Sequence, residues 1–220
     1  MQELLEDIKT YLSWLPEINI KYIFLSEKMK DQLEELKESS LRKIKEELGE
    51  CKRCPLWENR HHIVFGEGPA NARLVIVGEA PGEEEDLQGK PFVGAAGELL
   101  TKMLKAINLS REEVYITNIV KCRPPNNRNP RPKEIEKCKP FLLKQLETIH
   151  PKVICTLGSI AAQTLLETKT SISLLRGKIY IWHGIKLIPT FHPAYLLRNP
   201  RQKKFVWEDL KLLEKTLKSI

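Results

Sequence analysis

The chain has 220 residues, 41% of them hydrophobic and 30% charged, which is enough for one well-cored domain and too apolar for a disordered chain. Its longest unbroken apolar runs, such as Leu74-Val75-Ile76-Val77, fall far short of the ~20 residues of a membrane span. The acidic start MQELLEDIKT has no hydrophobic secretory core, so membrane proteins, rods and exported proteins are set aside and a soluble, cytoplasmic protein is expected.

In chain order, residues 1–25 mix apolar and acidic stretches without a nameable motif. From Asp31, Leu33, Leu36, Leu41, Ile44 and Leu48 recur at helical spacing, with Gly49 as a stop. Residues 73–78 (RLVIVG) read as a buried strand ending in the turn Glu79-Ala80-Pro81-Gly82; the acid run Glu83-Glu84-Glu85-Asp86 after it reads as a solvated face. A helix over 98–107 leads to a second strand, 114–120 (VYITNIV), and a basic, proline-rich loop; a helix around 132–149 and a third strand, 152–157 (KVICTL), follow. Ser159 is the expected cap of a helix through Leu166. A short pair, 179–182 and 185–189, turns at His183-Gly184, residues 190–197 read as a loop, and an amphipathic helix spans 205–217. Strands alternating with helices predict an α/β sandwich with a mainly parallel central sheet, whose site lies outside the carboxyl ends of the strands.

Charge is uneven. Residues 1–50 hold 8 basic and 12 acidic side chains, the rest 28 and 17. The excess concentrates in 121–133 (KCRPPNNRNPRPK), with Arg123, Arg128 and Arg131, and in 198–204 (RNPRQKK), with Arg198 and Arg201; neither carries an acid. Such loops suit a phosphate backbone.

Five cysteines, an odd number in a chain without an export signal, favour metal binding over a disulfide framework. Cys51 and Cys54 can meet one centre, and Cys122 and Cys138 bracket the basic loop. Four thiolates suit a tetrahedral zinc or an iron–sulfur cluster, and Pro55 after the first pair is a common neighbour of cluster ligands. Cys155, inside a strand, reads as a small buried hydrophobe. The turn after the first strand lacks a phosphate-loop pattern, and Gly158-Ser159 does not complete a serine-hydrolase elbow.

Four stretches together, GEAPGEEED (78–86), GKPFVGAAGELL (89–100), YITNIVKCRPPNNRNP (115–130) and FHPAYLL (191–197), resemble the family 4, iron–sulfur-containing uracil-DNA glycosylases. The likeness runs from about Asp31 to the C-terminus; residues 1–28 have no counterpart and read as an extension or a misassigned start, leaving one domain over 29–220. The resemblance implies a three-layer α/β/α glycosylase fold, a 4Fe–4S cluster on Cys51, Cys54, Cys122 and Cys138, and base excision from single- and double-stranded uracil DNA. It assigns Phe92 to stacking on the flipped base, Asn118 to reading uracil, and His192 to hydrogen-bonding O2 as the bond breaks.

Where other branches of that superfamily carry an aspartate to orient the water, this chain has Ala80; Glu79, the backbone through Pro81, or Asn127 are left to do so. Glu85 is expected at the C5 edge, where thymine carries a methyl, and Leu196 as the wedge filling the emptied stack. A prokaryotic, nucleoid-associated monomer of thermophilic composition is expected, with a sliding clamp left open as a partner. A zinc-stabilised nucleic-acid-binding module or an iron–sulfur electron carrier would account for the cysteines. The first leaves Phe92, Asn118 and His192 after strands unexplained, and the second leaves the two arginine-rich loops unexplained.

Overall fold

Three strands buried along their whole length make the middle of the sheet. In the computed structural model, which describes residues 26–219, β1 (Leu74–Gly78), β2 (Tyr115–Asn118) and β3 (Val153–Leu157) are buried at every position. Continuous rather than alternating burial is what a parallel sheet covered on both faces requires. With β4 (Tyr180–Trp182) and β5 (Ile185–Thr190) the order is β2-β1-β3-β5-β4. All neighbours are parallel except the edge pair β4–β5.

The helices are α1 (Glu27–Leu48), α2 (Glu83–Gln88), α3 (Ala95–Lys105), α4 (Pro132–Ile149), α5 (Ser159–Leu166), α6 (Ile172–Leu175), α7 (Pro193–Arg198) and α8 (Lys203–Lys218). The strands divide their side chains between two cores. Val75, Val77, Ile154 and Leu187 pack with Leu41, Ile44 and Leu48 of α1 and Leu142 and Leu146 of α4. Leu74, Ile76, Ile116 and Ile188 pack with Leu100 and Leu104 of α3 and Val206, Leu210 and Leu213 of α8. This is the expected α/β/α sandwich. The chain divides into two compact units, residues 1–36 and 37–220; the sheet and both cores belong to the second. The expected extension falls mostly on residues 1–25, outside those described.

Four local expectations are corrected. The first helix starts at Glu27, a turn earlier than its apolar spacing. The cap of α5 is Gly158, at φ 90°, with Ser159 already helical. Residues 193–198 are helical rather than loop, because Pro193 suits the first helical position and the His192 ring caps the turn from outside. The acid run is a solvated face only in its first half: it forms α2, with Glu83 and Glu84 exposed, but Asp86 is fully buried and Glu85 is at 9% exposure. Asp86 accepts from the backbone N–H of His61 at 3.0 Å and meets His61 Nδ1 at 2.8 Å, partners that make its burial tolerable.

Candidate active site

Parallel register sets the strand ends side by side. Gly78 of β1 is the partner of Asn118 of β2, and the next residues stay tied, Ile119 N–H donating to Gly78 O at 3.0 Å and Val120 N–H to Glu79 O at 3.2 Å. At the end of β5, Thr190 O accepts from Gly158 N–H at 2.9 Å, and the chain turns through Phe191 into His192. Between these ends lies a cavity of about 340 Å³, whose walls include Glu79, Ala80, Pro81, Glu85, Phe92, Asn118, Asn127 and His192. Residues that the resemblance draws from four separate stretches of the chain thus line one cavity.

Asn118 is 1% exposed, and its Oδ1 is buried without a hydrogen-bond partner. An unpaired buried acceptor costs roughly 1–3 kcal/mol, and here it borders the cavity. Gly78 makes the room: a Cβ there would lie 2.3 Å from Asn118 Oδ1 and 2.6 Å from Phe92 Cζ. The Phe92 and His192 rings stand 5.7 Å apart at 33°.

His192 Nδ1 accepts from Ala194 N–H at 3.1 Å. That bond places the ring proton on Nε2, leaving it as a donor. Loss of solvent around the ring pushes its pKa down to about 4, with the Glu85 carboxylate opposing and Arg198 assisting. The imidazole is therefore neutral at physiological pH. Burial raises the Glu79 carboxyl above its ordinary range.

Glu85 lines the cavity with both oxygens committed: Oε2 accepts from Gly82 N–H at 3.0 Å, and Oε1 from Val93 and Gly94 N–H at 2.9 and 3.0 Å. Asn127, at φ 54°, lies on the rim with Oδ1 held by Arg123 Nε at 2.8 Å.

The basic loops are less free than their sequence suggests. Arg128, expected on the DNA face, instead turns both guanidinium ends onto Glu134 at 2.9 and 2.7 Å, because that carboxylate, 2% exposed, needs a partner. Arg123 is engaged by Asn127 and, at 3.4 Å, by Glu83. Arg131, Arg198 and Arg201 are exposed. Leu196 is a clear correction: at 1% exposure it sits in the core with Leu74, Ile76 and Leu100, so it cannot enter a base stack, whereas Leu197 is 45% exposed. The face of α7 that turns inward is unreadable from so short an apolar run.

Sequence reasoning also missed Lys121, counted among the surface cations. It is wholly buried, its ammonium donating to Thr117 Oγ1 at 2.6 Å, Gln145 Oε1 at 2.7 Å and Asn118 O at 2.9 Å. Burial pushes its pKa down to about 7. It pins the end of β2 from behind the cavity.

The four expected cysteine ligands are neighbours. Cys51 and Cys54 each influence the ionisation of Cys138, and Cys54 and Cys138 that of Cys122. Arg60 Nη1 donates to Cys51 O at 2.6 Å and Cys122 Sγ at 3.4 Å, and Lys121 N–H to Cys138 Sγ at 3.3 Å. Burial pushes the Cys122 thiol up to about 11 and raises Cys54 and Cys138 as well. Among the described residues, no three His, Cys, Asp or Glu side chains are set as ligands of a single metal ion. Cys155 lies apart in the other core, where burial pushes its thiol up to about 12. No helix among the described residues is long and apolar enough to cross a membrane.

The carboxyl ends of a parallel sheet thus open on a cavity that holds an unpaired amide oxygen, an aromatic ring and a neutral histidine. The profile of the Uracil DNA glycosylase superfamily matches residues 65–211, and the chain belongs to that superfamily. The type-4 uracil-DNA glycosylase of Sulfurisphaera tokodaii is 50% identical over 181 residues, covering 78% of this chain and 82% of that protein. Its counterpart in Thermotoga maritima is 49% identical over 179 residues, covering 80% and 93%. A type-5 uracil-DNA glycosylase of Pyrobaculum aerophilum is more distant, 32% identical over 149 residues, covering 60% and 66%. Within the superfamily, the chain falls in the type-4 branch.

Proposed function

We infer that the protein is a DNA repair glycosylase: it removes uracil by hydrolysing the N-glycosidic bond, leaves an abasic site, and so opens base excision repair. The observation that carries this reading is the unpaired Asn118 acceptor at a cavity shared with Phe92 and with a His192 whose proton is fixed on Nε2. Uracil offers that acceptor its N3–H, whereas cytosine offers N3 as an acceptor and leaves both groups unpaired, the strong form of discrimination. Incubating the protein with a uracil-containing oligonucleotide and then with alkali should cut the strand at uracil; an intact strand would sink the reading.

The base must leave the stack first, at a cost of a few kcal/mol. Phe92 then stacks on it, and Asn118 reads its Watson–Crick edge. As the bond to C1′ breaks, charge gathers on uracil O2, and His192 Nε2–H donates to it. The Glu79 carboxylate, the backbone of Glu79–Pro81, or Asn127 holds the water. A positioned water suffices against an oxocarbenium-like sugar, which explains how Ala80 stands where a carboxylate would otherwise be. Glu85, anchored by three backbone N–H groups, forms a fixed wall at the C5 edge. Arg131, Arg198 and Arg201, exposed on the basic loops, hold phosphates of single- or double-stranded DNA.

The wedge passes to Leu197. Leu197→Ala should lower cleavage of U·A pairs more than of U·G mismatches and spare single-stranded uracil. Leu196→Ala, which opens a core cavity worth about 2–5 kcal/mol, should lower Tm and affect all three substrates alike. Equal losses across substrates for the Leu197 variant would leave the wedge unassigned.

Cys51, Cys54, Cys122 and Cys138 would hold a 4Fe–4S cluster. Their donor set fits in kind: four thiols, with Cys122 Sγ and Cys138 Sγ already accepting from Arg60 Nη1 and Lys121 N–H, supply the sulfur ligands and the hydrogen bonds to sulfur that such a cluster takes. Bound there, the cluster would supply a covalent staple between the 51–54 turn and the basic loop. Cys122→Ala should therefore lose brown absorbance, thermal stability and DNA affinity together. A colourless variant that keeps its Tm and affinity would overturn this role, and a colourless parent would point to zinc. Residues 29–220 would act as one catalytic domain in a cytoplasmic, nucleoid-associated monomer.

A further inference from the structure

The turn that carries Phe92 is built in an uncommon backbone conformation and clamped there. Phe92 has φ 53°, a left-handed value that bulky residues rarely adopt unless their surroundings impose it. Three groups impose it. Arg111 donates through Nη2 to Pro91 O at 2.9 Å and through Nη1 to Phe92 O at 3.0 Å. On the following residues, Glu85 Oε1 takes the N–H groups of Val93 and Gly94. Beneath, α3 presents Gly97, where a Cβ would lie 1.8 Å from Phe92 O, so the helix backbone closes directly on the carbonyl.

Arg111 stands at the opposite end of β2 from Asn118, in the short turn Arg111–Glu113, and is not among the residues that line the cavity. Its reach to the site runs through two carbonyl oxygens and nothing else described there. A planar, five-donor fork suits this task as a single ammonium would not.

We propose that Arg111 is a positioning residue for base recognition: its two hydrogen bonds lock the 91–92 backbone so that the Phe92 ring is set beside His192 before a base arrives. This rests on the reading of Phe92 as the stacking platform. Ordering the ring in advance removes a freedom that would otherwise be lost at each binding event. Without the clamp, the backbone relaxes towards an ordinary φ and the ring leaves the space that Gly78 keeps open.

A double-mutant cycle on the full-length protein tests this, with Phe92→Ala, Arg111→Met and the pair combined. The readouts are the saturating single-turnover rate on a single-stranded uracil oligonucleotide, inhibition by free uracil, and Tm. In the parent background, Arg111→Met should slow cleavage and weaken uracil inhibition by at least about tenfold; in the Phe92→Ala background it should change neither by more than about twofold. Arg111→Lys, which keeps the charge and can serve one carbonyl, should recover part of the loss. It also replaces Arg111→Met in the cycle if that variant does not fold. Equal factors in both backgrounds, or losses that follow Tm alone, would make Arg111 merely structural and overturn the proposal. No effect of Arg111→Met beside a large effect of Phe92→Ala would do the same while leaving the platform intact. Parent-like cleavage by Phe92→Ala would instead remove the platform reading itself.

Discussion

Replacing His192 with alanine is expected to lower the single-turnover cleavage rate by about 10²–10³-fold, the usual worth of one preorganised donor to a developing anion, while weakening binding to uracil DNA far less. The asymmetry follows from timing, since O2 carries little charge in the bound substrate and much as the bond breaks, so the Nε2–H bond strengthens only on the way to the transition state. The geometry removes the usual ambiguity about the proton, because Ala194 N–H occupies Nδ1. It also sets the pH response. With a pKa of about 4, the ring stays neutral as pH falls through 6.5, where a free histidine would titrate. Protonation below that value puts a hydrogen on Nδ1 against the Ala194 N–H and disrupts the cap that aims the ring. The rate contribution of His192 should therefore persist through pH 5 and fall only as pH approaches 4. A variant cleaving at the parent rate would refute the leaving-group role; an acid limb centred near 6.5 would refute the enclosed, neutral ring.

Asn118→Asp should erode the choice between uracil and cytosine. The parent amide presents its empty acceptor to the cavity, and Gly78 keeps that acceptor at the strand end. A protonated carboxyl offers one donor and one acceptor, which can be matched to N3 and N4–H of cytosine as readily as to N3–H and O4 of uracil. An ionised one offers acceptors only and loses O4. Uracil cleavage should fall, and the ratio of kcat/KM for uracil over cytosine should shrink by at least about a hundredfold from the 10⁴–10⁵ that unpaired buried groups can enforce. Oligonucleotides differing only at the target base give the ratio directly. An unchanged ratio would mean that another group reads the base edge.

Much of the sheet was legible because a strand covered on both faces announces itself: residues 74–77 are a continuous apolar run and 153–157 an apolar run broken only by Thr156, each closed by a glycine, and both became fully buried strands. The residues gathered at the cavity were legible for a related reason, since Asn118 and His192 follow strands and the carboxyl ends of a parallel sheet share one edge. What stayed hidden depends on partners distant in sequence. Nothing local says that Glu85 and Asp86 are buried, because the N–H groups that satisfy them come from Val93, Gly94, His61 and His62. Lys121 and Arg128 look like surface cations until Gln145 and Glu134 arrive from α4. Leu196 and Leu197 differ only in the rotation of a helix one and a half turns long, which two adjacent leucines cannot specify.

The order of the sheet has a consequence for how the protein comes into being. Glu79 and Asn118 lie at the ends of adjacent strands, but His192 leaves β5, which reaches them only through β3. A chain synthesised from its N-terminus therefore presents the cysteines, the first basic loop and Asn118 well before His192 exists. Parallel pairings of this kind close long loops before their contacts reward them, and they form late. The cavity is therefore complete only once β5 has paired with β3, and a chain lacking that pairing should leave uracil DNA uncut.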